Sequence, residues 1–159
     1  LPPGTGDVHL SLVQAVPVTG AVIVSTPQNI ALADAKKGVG MFQLDTIQVP
    51  VLGIVENMAY FTPKELPENK YYIFGKKGAE FLAKDEEVPF LGALPLVQTI
   101  REAADVGRPA VLQQHSNLSN QFDKITKRLV YETLLRNRNL PPTKSVEITN
   151  LVGCEAIKL

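Results

Sequence analysis

Three short apolar runs, each followed by a polar or proline-containing segment, limit what this chain can fold into more than any other feature. They are Ala21 to Val24, closed by Ser25-Thr26-Pro27; Val51 to Val55, closed by Glu56-Asn57-Met58; and Phe90 to Ala93, closed by Leu94-Pro95. A half-exposed strand alternates apolar and polar residues. An unbroken run of this length instead reads as a strand covered on both faces, the usual condition of a parallel sheet. Between the first two runs, from Asn29 to about Leu44, Ala31, Ala35, Val39 and Phe42 recur at three- and four-residue spacing, which predicts an amphipathic helix packed back onto the sheet. A second helix is expected at roughly 76 to 85. Strand, loop and helix repeating in this order predict βαβ units with right-handed crossovers. The fold class is therefore α/β, a partial doubly wound parallel sheet with helices on both faces.

The rest of the chain fits around this unit. Val8 to Ala15 predicts a short helix with Val8, Leu12 and Ala15 on one face, ending before Pro17. Leu94-Pro95-Leu96 leads into a helix stopped by Gly107, with Pro109 beyond. Leu118, Phe122, Ile125 and Leu129 mark a long helix from about Asn117 to Arg138, where Arg136 and Arg138 suit the negative end of the dipole. Asn139-Leu140-Pro141-Pro142 ends it. Residues 1–139 read as one domain and 140–159 as a tail, with a short strand expected at Val146 to Thr149. The 59–75 loop holds Tyr60, Phe61, Tyr71, Tyr72 and Phe74, dense enough in aromatics that part of it should pack.

Charge and cysteine usage narrow the partners. Sixteen basic side chains balance sixteen acidic ones, so no net field draws the chain to nucleic acid or anionic lipid. The apolar runs are strand-sized and far shorter than a membrane span. A single cysteine, Cys154, excludes an intrachain disulfide and suits a reducing cytoplasm. His9 and His115 lack metal-ligand spacing and read as structural.

The first seven residues, Leu1-Pro2-Pro3-Gly4-Thr5-Gly6-Asp7, carry phosphate-site chemistry. Prolines fix the backbone, glycines permit positive φ and close approach, and Asp7 is placed to cap a helix whose free N–H groups would face an anion. A plain turn followed by a capped helix accounts for the same residues. The segment nevertheless resembles the one that follows the magnesium-binding aspartate in deviant P-loop ATPases of the Mrp/ApbC type, relatives of MinD and of the nitrogenase iron protein. Thr19 to Gln28, Val51 to Met58 and Ile73-Phe74-Gly75 resemble the same family in the same order, over roughly residues 1 to 113.

That resemblance implies an ATP- and Mg-dependent parent whose ATPases act as homodimers. Gly4, Thr5, Gly6 and Asp7 would be the switch segment near the γ-phosphate, and Asn57 the adenine-reading position, its carboxamide offering donor and acceptor. Pro95 would lie where a loop packs on the purine. A turn asparagine and a strand-to-helix proline are the simpler alternatives for the last two. Thr26 and Gln28 stand near the same site. No G-x-x-x-x-G-K-[ST] occurs in the 159 residues. The expectation is thus a C-terminal portion of such an ATPase, inactive alone, to be completed by a missing N-terminal half or by dimerisation. In much of the family a Cys-x-x-Cys follows the Asn-Met-x-x-Phe segment and can supply thiolates to an iron–sulfur cluster. Here that stretch is Phe61-Thr62-Pro63-Lys64-Glu65, which argues against a cluster on this chain, while leaving iron–sulfur client proteins as expected partners. Two other readings stay open: a MinD- or ParA-like positioning ATPase, and a non-catalytic interaction module using the aromatic loop and sheet edge.

Overall fold

The structure, a computed structural model, describes residues 1, 4–63, 65–112 and 117–146. His115, Cys154 and residues 147–149 of the expected tail strand lie outside the described residues. Along the chain run α1 (Asp7–Ala15), β1 (Ala21–Ser25), α2 (Asn29–Gln43), β2 (Val51–Glu56), α3 (Gly78–Asp85), β3 (Phe90–Ala93), α4 (Gln98–Asp105), a 3-10 turn (Ala110–Leu112) and α5 (Asn117–Asn139). The strands form one parallel sheet in the order β1-β2-β3. This is the α/β architecture expected from the three apolar runs.

Adjacent residues of β2 show why its sequence does not alternate. Ile54 is fully buried among Val39 of α2 and Ala79, Leu82 and Ala83 of α3. Val55 points the other way, into a cluster with Leu91, Leu94, Ala103 of α4 and Leu118 of α5, against which Phe122, Ile125 and Leu129 pack. Two helices therefore cover each face, and each such side chain contributes on the order of 1.5–3 kcal/mol by leaving water.

β1 departs from the expected burial on both faces. Val24 is 61% exposed. The reason is the helix cover: of the two edge strands, β3 lies under α5 and β1 does not, since α5 packs over β2 and β3. α1 departs as well. Its expected apolar stripe faces outward, with Val8 56% and Leu12 37% exposed, whereas His9 and Val13 are buried. The helix carries apolar residues on more than one side, and its docking is decided by the pocket that Met41, Phe42, Ile47 and Val49 offer to Val13. The first tail residues return to the same place, Val146 N–H donating to the Val13 carbonyl at 3.0 Å. α3 begins at Gly78 because Lys77, at φ 60°, ψ 24°, is left-handed and cannot belong to the helix.

Candidate functional site

Parallel strands bring the residues that follow them to one end of the sheet, where α/β proteins hold ligands. Here those residues are Thr26-Pro27-Gln28 after β1, Asn57-Met58 after β2 and Leu94-Pro95-Leu96 after β3. Hydrogen bonding continues past the strands. Asn57 N–H donates to the Ser25 carbonyl at 2.7 Å, Leu94 N–H to Glu56 at 2.8 Å, Ala59 N–H to Leu94 at 2.9 Å and Leu96 N–H to Tyr60 at 2.8 Å. Asn57 and Pro95 thus sit in neighbouring, mutually bonded segments, Asn57 half-buried and Pro95 buried.

The Asn57 carboxamide is partly engaged. Its Oδ1 accepts the N–H of Met58, a residue at φ 54°, at 3.0 Å. That bond fixes which way the amide is turned and leaves the NH2 group as the unengaged donor. The Thr26 hydroxyl donates to Gln28 Oε1 at 3.1 Å, so these two side chains are paired with each other at the start of α2.

At the other end of the candidate set, Gly4 has φ 96°, a conformation that a side chain would strain, while Gly6 is extended at φ −77° and does not use its freedom. Asp7 does not cap α1. Gly6 occupies the cap position, and Asp7 is the first helical residue, where its carboxylate favours the helix dipole without bonding a backbone N–H. A side-chain cap requires the residue before the first helical one, and the chain turns one position too early for Asp7 to serve.

A trough of about 720 Å³ follows the free edge of β1 and is lined by Gly4, His9, Ser25, Thr26 and apolar residues of α1, β1 and α2. It brings Gly4 together with the end of β1. Thr5, Gly6 and Asp7 do not line it, and neither do Asn57 and Pro95, which stand beyond β1 in the sheet. Of the candidate residues the structure therefore brings Asn57 and Pro95 together and sets Gly4 in the trough, while Thr5, Gly6 and Asp7 line neither place.

Two residues outside the expected set belong in this description. His9 is 7% exposed and lines the trough, and its Nδ1 has no hydrogen-bond partner among the described residues. Glu56, 3% exposed, ends β2 with its carboxylate inside the protein, accepting Ala79 N–H at 2.8 Å. Burial pushes its pKa above the ordinary carboxylate value, and nearby Glu80 adds to this; the Ala79 bond and Lys77 oppose it. A carboxylate closing an otherwise apolar strand was visible in the sequence. The imidazole of His9 gave no such signal, because a lone histidine in a short helix has no pattern.

In the 59–75 loop, the Tyr60 hydroxyl accepts a bond from Gln121 Nε2 at 2.9 Å, and its ring carries Lys70 Nζ at 4.4 Å and the edge of Tyr72 at 6.4 Å. Phe61 bridges Tyr71 and Leu96. This part packs, as the aromatic density predicts. Tyr71, Tyr72 and Ile73 remain 46%, 40% and 59% exposed. Among the described residues no group of three or more His, Cys, Asp or Glu is placed to hold a metal ion, and no helix is long and apolar enough to cross a membrane.

A parallel sheet with helices on both faces and its candidate residues on the strand-end loops has the architecture of the P-loop NTPases. The chain belongs to the NUBPL iron-transfer P-loop NTPase family, whose model matches residues 1–130. It is 50% identical over 119 residues to an iron-sulfur cluster carrier protein of Synechocystis, covering 75% of this chain and 33% of that one. It is 45% identical over 140 residues to the iron-sulfur cluster transfer protein NUBPL of Dictyostelium discoideum, covering 87% and 42%. Among solved structures it matches a nucleotide-binding protein from Archaeoglobus fulgidus in complex with ADP, at 36% identity and TM-score 0.62, covering 77% of this chain and 48% of that one. The chain spans between a third and about two fifths of the length of these two curated relatives.

Proposed function

We propose that this chain is the switch and base-side portion of an ATP-dependent iron–sulfur cluster carrier, and that polypeptide outside these 159 residues supplies the phosphate loop. The observation that carries the reading is the arrangement at the strand ends: Gly4 with Ser25 and Thr26 along one side of β1, and Asn57 with Pro95 on the other. In this reading the Gly4–Asp7 segment lies toward the γ-phosphate and Mg, while Asn57 directs its NH2 at an acceptor on the purine edge, beside the Leu94-Pro95-Leu96 turn. The base side is furnished by residues of this chain. Its phosphate side is not, since no lysine-bearing phosphate loop occurs in the sequence.

The carried cluster would be cargo held by thiolates from outside these 159 residues, such as those of an iron–sulfur client, because residues 61–65 hold no sulfur and the sequence has a single cysteine. The exposed Tyr71, Tyr72 and Ile73 favour an interaction role for the loop as well. Isothermal calorimetry tests the nucleotide reading. The 159-residue chain alone should show no micromolar affinity for ATP, because the triphosphate charge lacks compensation. Supplying the phosphate-loop portion should restore binding, and Asn57→Ala should then weaken it by roughly tenfold, the usual scale for one well-made hydrogen bond. Micromolar binding by the chain alone would place the site elsewhere.

A further inference from the structure

Glu56 is not itself a candidate ligand position, yet it ties several parts of the strand-end region together. Its backbone carbonyl accepts Leu94 N–H at 2.8 Å, and its carboxylate accepts the N–H of Ala79, twenty-three residues on, also at 2.8 Å. The first bond ties the end of β2 to the end of β3; the second ties it to the first turn of α3. Asn57 is the next residue in the chain, so the 57–77 loop leaves from Glu56 and is brought back to it.

The returning end of that loop is also held from the β1 side. A Cβ added at Gly78 would meet the Pro27 carbonyl at 2.7 Å and Leu32 at 2.6 Å, so the backbone there lies directly against the turn that follows β1. Lys77 holds a left-handed conformation to make the approach. The residue that ends β2 is therefore tied by its backbone to the end of β3 and by its carboxylate to the first turn of α3, which itself lies against the turn after β1. An acid in an apolar surrounding is an expensive way to accept one N–H, since a carboxamide accepts the same bond with less loss of hydration.

We propose that Glu56 is a positioning residue for the nucleotide edge: by clamping the start of α3 to the end of β2 it fixes the 57–77 loop and, with it, the setting of Asn57 against the Leu94-Pro95-Leu96 turn. The inference rests on the nucleotide reading for its consequence, and on the Ala79 bond for its mechanism. Two measurements separate these.

The first uses the 159-residue chain and hydrogen exchange. Glu56→Ala should speed exchange at Ala79 and through 57–77 by tenfold or more beyond the general acceleration seen in α5, and Glu56→Gln, which keeps an acceptor, should stay near wild type. Unchanged exchange at Ala79, or equal acceleration throughout α5, overturns the clamp. The second uses the polypeptide completed with its phosphate-loop portion and compares ATP with inorganic triphosphate. Glu56→Ala should weaken ATP by about tenfold without weakening triphosphate, and Glu56→Gln should restore the difference. Equal loss for both ligands overturns the positioning role. If the wild-type protein itself fails to prefer ATP over triphosphate, the nucleotide reading falls and the positioning role with it, while the exchange experiment still decides the clamp.

Discussion

A buried acid makes stability depend on pH in a direction that can be worked out for Glu56. Its pKa in the folded chain is raised, chiefly by loss of hydration. The folded state therefore holds the proton more tightly than the unfolded state does, so this contribution is fully present below the unfolded carboxylate value. It is lost as pH rises through the higher folded value. In its ionised form the side chain is a net cost, which the Ala79 bond and Lys77 offset in part. Glu56→Gln is accordingly expected to be at least as stable as wild type in urea at pH 7, with the difference shrinking toward acid pH. Glu56→Ala is expected to lose about 1–3 kcal/mol, because it leaves the Ala79 N–H buried without a partner. Urea titrations of both variants at pH 7 and at pH 4 check the sign. A Gln variant less stable than wild type at pH 7 would show that the charge itself holds the fold.

At the level of elements, what could be read from the sequence was set by local pattern, and what could not was set by neighbours. β2 was legible because Leu52 to Val55 is buried on both sides whatever lies beyond β1 and β3. Val24 looks the same in sequence as Val55, yet one is 61% and the other 5% exposed, a difference set by which strands α5 covers. The α1 stripe was misplaced for a related reason, since Val8 and Val13 are equally apolar and only the pocket near Phe42 chooses between them. Of the candidate site, the strand-end residues followed from the ends of apolar runs, whereas Glu56 reaching Ala79 across a long loop had no local trace. The α3 start yields a test at this scale. Gly78→Ala is expected to destabilise by about 1–3 kcal/mol, since the backbone carbonyl of Pro27 stands 2.7 Å from the new methyl group and cannot rotate away as a side chain could. Thermal unfolding measures it, and a variant within 0.5 kcal/mol of wild type, roughly the scatter of surface substitutions, would mean that the α3 start is not held against the β1 turn.

For the whole molecule the open side of β1 is the governing feature. Ala21 N–H donates to Pro50 and the Ser25 carbonyl accepts from Asn57, so both point toward β2. By the alternation of an extended chain, the backbone groups of Val22 and Val24 point away, along the trough. Such an edge pairs readily with another strand. The chain is expected to self-associate at low micromolar concentration, or to be captured by the phosphate-loop portion, and static light scattering distinguishes either from a monomer. Val24→Lys should change the stability of the isolated chain by no more than about 0.5 kcal/mol, since the residue is exposed, yet suppress the association. A stable monomer of the unaltered chain would mean that this edge is already protected.

The strand order also governs the route by which the chain acquires its structure. Because β1, β2 and β3 lie side by side in the order of synthesis, each new strand docks on one already made, and no crossover has to skip over a strand. In the proposed assembly the side of β1 facing the trough is covered by the phosphate-loop portion, a segment that is not among these three strands. Growth from β2 outward needs no help from it. In a refolding experiment followed by pulsed hydrogen exchange, amides of β2 and β3 should gain protection together and early, and adding the phosphate-loop portion should slow β1 exchange without altering the rate at which β2 and β3 are protected. If protection of β2 waits for that addition, the sheet is assembled from its open side and the order of events is the reverse.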